Sequence, residues 1–233
     1  MIRAVRTKDR IISAATQLYN ELGYANVSSA VLAAQLGIAE GNLWYHFKTR
    51  RAILGAISEN FARDIELRLA LGPDPDCDVV ADYAVLLQAV MREFRDYRFL
   101  YRDQADYGEH DEIIRRNAPG WHQRTHAQLR RYFSAFVAQG QLDWPEERLP
   151  DLAINATILL RYGLEHSREM GEPIEQGGGA VRGTLLRHLT LFEHRLVPDA
   201  ARNLRSSIDR IGASDAEFGR DRKLPLASAA TPG

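Results

Sequence analysis

A single cysteine, Cys77, excludes an internal disulfide framework and suits a reducing cytosol. Long apolar runs are missing as well. No stretch approaches the roughly 18 consecutive apolar residues of a membrane span, and Met1 to Arg10 is charged and lacks a signal-type apolar core. The expectation is a cytoplasmic protein with no membrane partner. Strand-like alternation, an internal repeat and a G-x-G-x-x-G phosphate loop are absent too, which leaves an all-α fold. Net charge is nearly absent, at -1 over 233 residues, and taken alone that argues against a nucleic-acid partner. Its distribution argues the other way. Met1 to Ile53 holds Arg3, Arg6, Lys8, Arg10, Lys48, Arg50 and Arg51 against Asp9, Glu21 and Glu40, so the excess of positive charge sits at one end. The acidic remainder does not cancel it, because attraction to phosphate acts within a Debye length.

What is present at that end is SSAVLAAQLGIAEGNLWYHFK, Ser28 to Lys48. Ser28 and Ser29 are N-cap residues, Val31, Leu32 and Leu36 share a helix face, and Gly37 stops that helix. Glu40 to His46 predicts a second helix, with Leu43 and Phe47 turned inward and Asn42, Trp44, Tyr45 and His46 outward. Helix, glycine turn and helix make a helix-turn-helix, whose second helix is sized for the DNA major groove. Before it, Thr7 caps a helix bearing Ile11, Ala15, Leu18 and Leu22, stopped by Gly23. After it, Thr49 caps a longer helix with Ile53, Ile57, Phe61 and Ile65 four apart, running to Gly72 and Pro73 and serving as a connector.

The rest reads as further helices. Val79, Tyr83, Leu86, Leu87, Val90 and Phe94 form one stripe, and Asp96 to His110 is aromatic and charged at once, predicting a short helix with loops. Asp111 to Gln139 is a long helical pattern in which Pro119 and Gly120 predict a kink or restart. A helix after Pro145 carries Leu152, Ile158, Leu159, Tyr162 and His166. Gly177 to Gly179 predict a flexible joint, and the last helix carries Val181, Leu185, Leu189 and Phe192 until Pro198 stops it. From Asp199 the apolar stripe fades, predicting a mobile tail.

The residues from Thr7 through about Phe61 resemble the TetR/AcrR family of bacterial transcription regulators: an entry helix, GY, a Ser pair, the LG turn and G-N-L-W-Y-H-F-K. The resemblance covers about the first quarter of the chain. It implies a three-helix helix-turn-helix DNA-binding domain over 1–50 and a helical ligand-binding and dimerisation domain over 51–198. Within the latter 51–71 would be the connector, and 199–233 a flexible tail. Carried across by position, Ser28 and Ser29 would contact phosphates, Gly41, Asn42 and Trp44 would approach base edges or the groove wall, and Tyr45, His46 and Lys48 would grip the backbone. The partners implied are a double-stranded operator, a small-molecule effector and a second copy of the chain. No catalytic residue or cofactor is implied, and the protein is read as a repressor and not an enzyme.

This sequence departs from the family pattern at Ala30, where some relatives carry a base-reading arginine, at Ala39, which replaces a Ser or Thr cap, and at Glu40. Glu40 reads as an acceptor for a cytosine amino group, as a negative selector facing phosphates, or as a solvent-facing helix-start residue. Trp44 is either DNA-facing or a core anchor. Arg3, Arg6 and Lys8 form either a disordered solvated arm or one that contacts the minor groove and phosphates.

Aromatics downstream exceed what a minimal helical core needs, and Tyr101, Trp121, His122, His126, Phe133 and Tyr162 are candidates to line an effector pocket. His122 and His126, four apart, would share a helix face and could begin a metal site, but no third ligand at suitable spacing accompanies them. Two competing classes remain: a DNA-binding regulator without effector control, as an activator or architectural factor, and a helical metal-binding enzyme. Cys77, beside acidic residues, reads as an inert thiol. The late stripes on 152–162 and 181–192 either close the chain's own core or form a dimer face, and the dimer is the reading preferred, because a helix-turn-helix on a two-fold operator needs two recognition helices about 34 to 36 Å apart.

Overall fold

The computed structural model describes residues 7–107, 111–174 and 179–221, with side chains described as far as 213. The described residues are helical throughout, apart from turns and one isolated antiparallel bridge between Leu142 and Leu196. The fold is all-α. No described helix is long and apolar enough to cross a membrane. In order the helices are α1 (Thr7–Leu22), α2 (Ser29–Leu36), α3 (Glu40–His46), α4 (Arg50–Leu69), α5 (Val79–Asp96), α6 (Arg98–Arg102), α7 (Gln104–Tyr107), α8 (Glu112–Ala138), α9 (Leu149–Glu169), α10 (Gly179–Leu189) and α11 (Pro198–Asp221). The described residues fall into two compact units: one holds those up to Arg63 and those of Asp96–Asn117, the other those of Asp64–Arg95 and those from Ala118 onward.

In the first unit α1, α2 and α3 share a core of Ile11, Ala15, Leu18, Leu32, Leu43 and Phe47. Leu54 and Ile57 of α4 are also fully buried. The unit recruits α6 and α7 as well, from 75 and more residues away in sequence. The C-terminal carbonyls of α1 have no partner within their own helix. Arg102 fills that need, donating to Tyr19 O at 2.9 Å and Asn20 O at 3.0 Å, while Arg98 donates to Asn20 O at 2.6 Å. The Asn20 amide donates in return to Asp96 O at 2.8 Å, and Asp103 accepts the Tyr24 N–H at 2.8 Å. Tyr19, Tyr24, Phe99 and Tyr107 stack behind these bonds with centroids 5.1 to 6.2 Å apart. Ser58 and Asp111 share a buried hydrogen bond, and Asp111 also accepts the Ile114 N–H at 3.0 Å, capping α8.

The second unit is built on an aromatic cluster in which Tyr83 meets Tyr132, Phe133, Phe136 and Phe192 at centroid distances of 5.4 to 6.3 Å. Beside it Arg68 is buried with every guanidinium nitrogen engaged. It donates to Glu93 at 3.0 and 3.3 Å, to Thr125 at 3.0 Å and to Gln128 at 2.8 Å. Gln128 in turn donates to the carbonyls of Arg68 and Leu71, both at 2.7 Å, closing the end of α4. α10 packs on both α9 and α11. At Gly163 the approach of α9 and α10 is so close that a Cβ would stand 2.3 Å from Thr184 Cγ2.

Four expectations are corrected here. Of the kink or restart expected at Pro119 and Gly120, the restart is ruled out: α8 runs unbroken through both, the ring sits on the solvent side, and the loss of one backbone hydrogen bond is tolerated in a 27-residue helix. Pro198 does not end a helix but opens one, at the first position, where its missing N–H costs nothing. The segment from Asp199 is therefore no tail as far as Asp221: Ala200, Leu204, Ile208 and Ile211 lie buried at helical spacing, a stripe whose few apolar positions are diluted by arginine and aspartate. Finally Val181, Leu185, Leu189 and Phe192, read as dimer face, are interior to the second unit. The glycine joint expected at Gly177 to Gly179 lies outside the described residues except for Gly179, which begins α10.

Candidate nucleic-acid interface

The turn between α2 and α3 is set by local chemistry. Ser28 caps α2 in an extended conformation, and its Oγ accepts the Val31 N–H at 3.2 Å, a bond of the kind worth about 1 kcal/mol. Gly37 closes α2 at φ 65°, a left-handed conformation that side-chain-bearing residues avoid. Its N–H bonds Ala34 O, and the Ile38 N–H bonds Ala33 O, both at 3.1 Å. α3 begins after Ala39, which offers no side-chain cap. Thr49 then caps α4 by accepting the Ala52 N–H at 3.0 Å.

On α3 the burial is one-sided. Leu43 and the following Phe47 are buried, while Gly41, Asn42 and Lys48 are exposed and Tyr45 is 74% exposed. Trp44 and His46 are half-buried, so Trp44 takes neither extreme of its two readings, and the His46 ring meets Tyr45 edge-on at 5.2 Å. Six of the eight candidate residues thus lie within one short helix and its exit, and the remaining two open α2. They differ in how free their polar atoms are. Ser28 uses a lone pair for its cap and keeps its proton. Ser29 gives its proton to the Glu40 carboxylate across the turn. Arg50, in the positive cluster, is spent on structure: it donates to Val27 O at 3.1 Å and lies 4.1 Å over the Tyr24 ring. Lys8 stands 5.8 Å over Phe47, and Arg3 and Arg6 lie outside the described residues.

The six pocket candidates fall in different local settings. Tyr101 belongs to the first unit, 5.7 Å from Phe61. Phe133 is part of the aromatic core, 5.2 Å from Phe192. Tyr162 is 52% exposed and donates to Glu169 at 2.7 Å. Trp121, His122 and His126 remain together on α8. Trp121 donates to Glu66 at 3.0 Å, and the Arg124 guanidinium takes both Glu66 oxygens at 2.7 and 2.8 Å, holding that carboxyl below its usual pKa. His122 lies 3.4 Å from Arg161, and burial first, then the charges of Arg161, His126 and Arg68, lower its pKa. Among the described residues no group of three or more His, Cys, Asp or Glu could hold a metal. Cys77 is exposed, and its hydrogen bond to Asp74 raises its pKa, which disfavours the thiolate.

Sequence reasoning missed two features. The clasp of Arg98, Arg102 and Asp103 on α1 has no local signature, since its partners lie about 80 residues upstream; the aromatic and charged mixture of that stretch was the only hint. The pairing of Tyr83 with His188 at 2.7 Å joins α5 to α10, and no spacing rule links the two.

Comparison with known proteins gives one answer along the chain. Residues 11–57 match the family described as bacterial regulatory proteins, tetR family, and residues 60–204 match the one described as bacterial transcriptional repressor, TetR. The chain is 28% identical over 193 residues to the tetracycline repressor protein class A from transposon 1721 of Escherichia coli, covering 82% of each protein. A TetR-family transcriptional regulator from Marinobacter aquaeolei VT8 superposes with a TM-score of 0.73 at 22% identity, over 89% of this chain and 99% of that one. A protein from Saccharomonospora viridis, solved in complex with choline, superposes with a TM-score of 0.59 at 20% identity, over 82% of this chain and 97% of that one. At these identities the two structures speak for the fold.

Proposed function

The chain belongs to the TetR family of DNA-binding bacterial transcriptional regulators, and on that premise we propose that it acts as a homodimeric repressor, gripping operator DNA through α2 and α3 and released by a small-molecule effector. The observation that carries the docking face is the sidedness of α3, where Leu43 and Phe47 are buried while Asn42, Tyr45 and Lys48 stand in solvent. An apolar interior face with a polar, aromatic and cationic outer one suits a helix laid in the major groove.

In this reading 1–50 is the DNA-binding segment and 51–71 the connector. Ser28, Tyr45, His46 and Lys48 grip phosphates. Gly41 lets the backbone approach, and Asn42 and Trp44 face base edges, Asn42 with the amide geometry that pairs with adenine. The dimer face is supported by Ile154, Ile158 and Tyr162, four apart on α9 and 41%, 60% and 52% exposed, an apolar row that a second copy would cover. For the effector, the half-buried face of His122 and His126 beside Arg161 offers polar handles, and a structural neighbour solved in complex with choline supports the reading. A coupling of about 1 to 3 kcal/mol between effector and operator is enough for a useful change in occupancy.

Two substitutions test the docking face. Lys48→Ala is expected to weaken binding to all duplexes and to lower the salt slope by about one unit. Asn42→Ala is expected to change base preference at a cost of about 1 to 3 kcal/mol. Binding unchanged in both refutes the face.

A further inference from the structure

Glu40 is the one acidic side chain on the outer side of the helix-turn-helix, and an acid facing phosphate weakens binding to every sequence. The structure gives it a specific setting. It is the first residue of α3, it is exposed, and Ser29 of α2 donates its hydroxyl proton to Oε1. The bond spans the turn between the two helices. Ser29 is itself fixed, because it opens a helix capped by Ser28 and closed by the left-handed Gly37. A long side chain that would otherwise sweep many rotamers is thus tethered at one oxygen, and Oε2 is left to accept from outside the protein.

We propose that Glu40 is a specificity-determining residue which reads a cytosine amino group in the major groove, with Ser29 as its positioning residue. This rests on the DNA-docking reading above. A carboxylate can only accept hydrogen bonds. The major-groove donors are the cytosine N4 and adenine N6 amino groups. On adenine the N6 donor stands next to the N7 lone pair, which repels the second carboxylate oxygen; on guanine and thymine the exposed oxygens are acceptors and repel both. Cytosine alone offers a donor without an adjacent acceptor on the same base. The carboxylate therefore works in two ways, rewarding cytosine at one position of each half-site and penalising the bases that present acceptors there. With Ala30 exposed beside Ser29 and carrying no polar group, base contact at this corner falls to Glu40.

The test is selection from a random pool of duplex oligonucleotides by the full chain and its variants, followed by affinity measurements on the four single-base versions of the selected site. The wild-type chain is expected to favour cytosine at one position per half-site by about tenfold. Glu40→Gln is expected to move that preference to adenine, since an amide pairs with N6 and N7 together, and to leave the other positions alone. Ser29→Ala should erode the cytosine preference severalfold, Ser29→Thr should restore it, and in a Glu40→Ala background Ser29→Ala should have no further effect at that position. If Glu40→Gln raises affinity uniformly with the base preference unchanged, Glu40 is only a charge near phosphate and the proposal falls. If Glu40→Gln switches the base but Ser29→Ala does not weaken the cytosine preference, the positioning role falls. If the wild-type chain selects no site at all, the docking reading fails along with it. Circular dichroism of each variant, all at exposed or half-exposed positions, checks that the fold is kept.

Discussion

Lowering the pH from about 7.5 to about 5 is expected to remove about 2 kcal/mol of folding stability through His188 alone. The imidazole is fully buried on α10, its Nε2 is 2.7 Å from the Tyr83 hydroxyl, and the Tyr83 and Phe192 rings lie 6.0 and 5.5 Å away. Burial drives the phenol's pKa up, so Tyr83 stays protonated and donates to Nε2. That leaves the ring proton on Nδ1, which finds no partner among the described residues. A second proton would put a charge where nothing solvates it, and burial holds the pKa at about 3 against an ordinary 6.5. Above the ordinary value the ring is neutral in both states and nothing is lost. Below it the unfolded chain takes up a proton that the folded one refuses, so stability falls by about 1.4 kcal/mol per pH unit until the folded value is reached. Urea unfolding of the wild-type chain and of His188→Gln, at one protein concentration, isolates the effect. Glutamine can accept from Tyr83 but does not titrate, so the acid response of the carboxylates cancels in the difference. The stability gap between the two proteins should narrow by about 2 kcal/mol over this pH range, and a change under about 0.5 kcal/mol would refute the claim that burial holds the ring neutral.

Gly163→Ala should destabilise by about 1 to 3 kcal/mol, because the new Cβ would meet Thr184 Cγ2 at 2.3 Å and Oγ1 at 2.6 Å; adding Thr184→Ala removes both atoms and should recover part of the loss in thermal melts. Glu93→Ala should cost about 3 to 5 kcal/mol by stranding the buried Arg68 charge, whereas replacing both partners with leucine and methionine should cost far less in urea titration. Asp103→Ala should leave the buried Tyr24 N–H without its acceptor, costing about 1 to 3 kcal/mol, and the hydrogen exchange of that amide should quicken.

The DNA-facing end was the most legible part of the chain because its signals are local. Ser28 as cap, Gly37 as left-handed stop and Leu43 with Phe47 as inward pair are each dictated within a few residues, and each stands where the spacing placed it. Legibility declined as partners became distant. The stripe of Val181, Leu185, Leu189 and Phe192 revealed a helix with a buried face but not what buries it, and the answer was the interior of its own unit. On α9 an apolar row at Ile154, Ile158 and Tyr162 is left in solvent instead. Pro198 was read by its usual effect within a helix, but its effect depends on position, and at the first residue it favours the helix that follows.

The amino-acid sequence by itself determined the all-helical class, the helix-turn-helix and the identities of the side chains on its outer face, since helix periodicity and capping act over one or two turns. Only the tertiary structure decided which of those side chains are at liberty. Arg50 is committed to Val27 and Tyr24, Ser29 is committed to Glu40, and the C-terminus of α1 is completed by arginines from α6. A hydrogen bond between groups 11 or 79 residues apart depends on where the chain returns in space, and that is set by the packing of the whole unit.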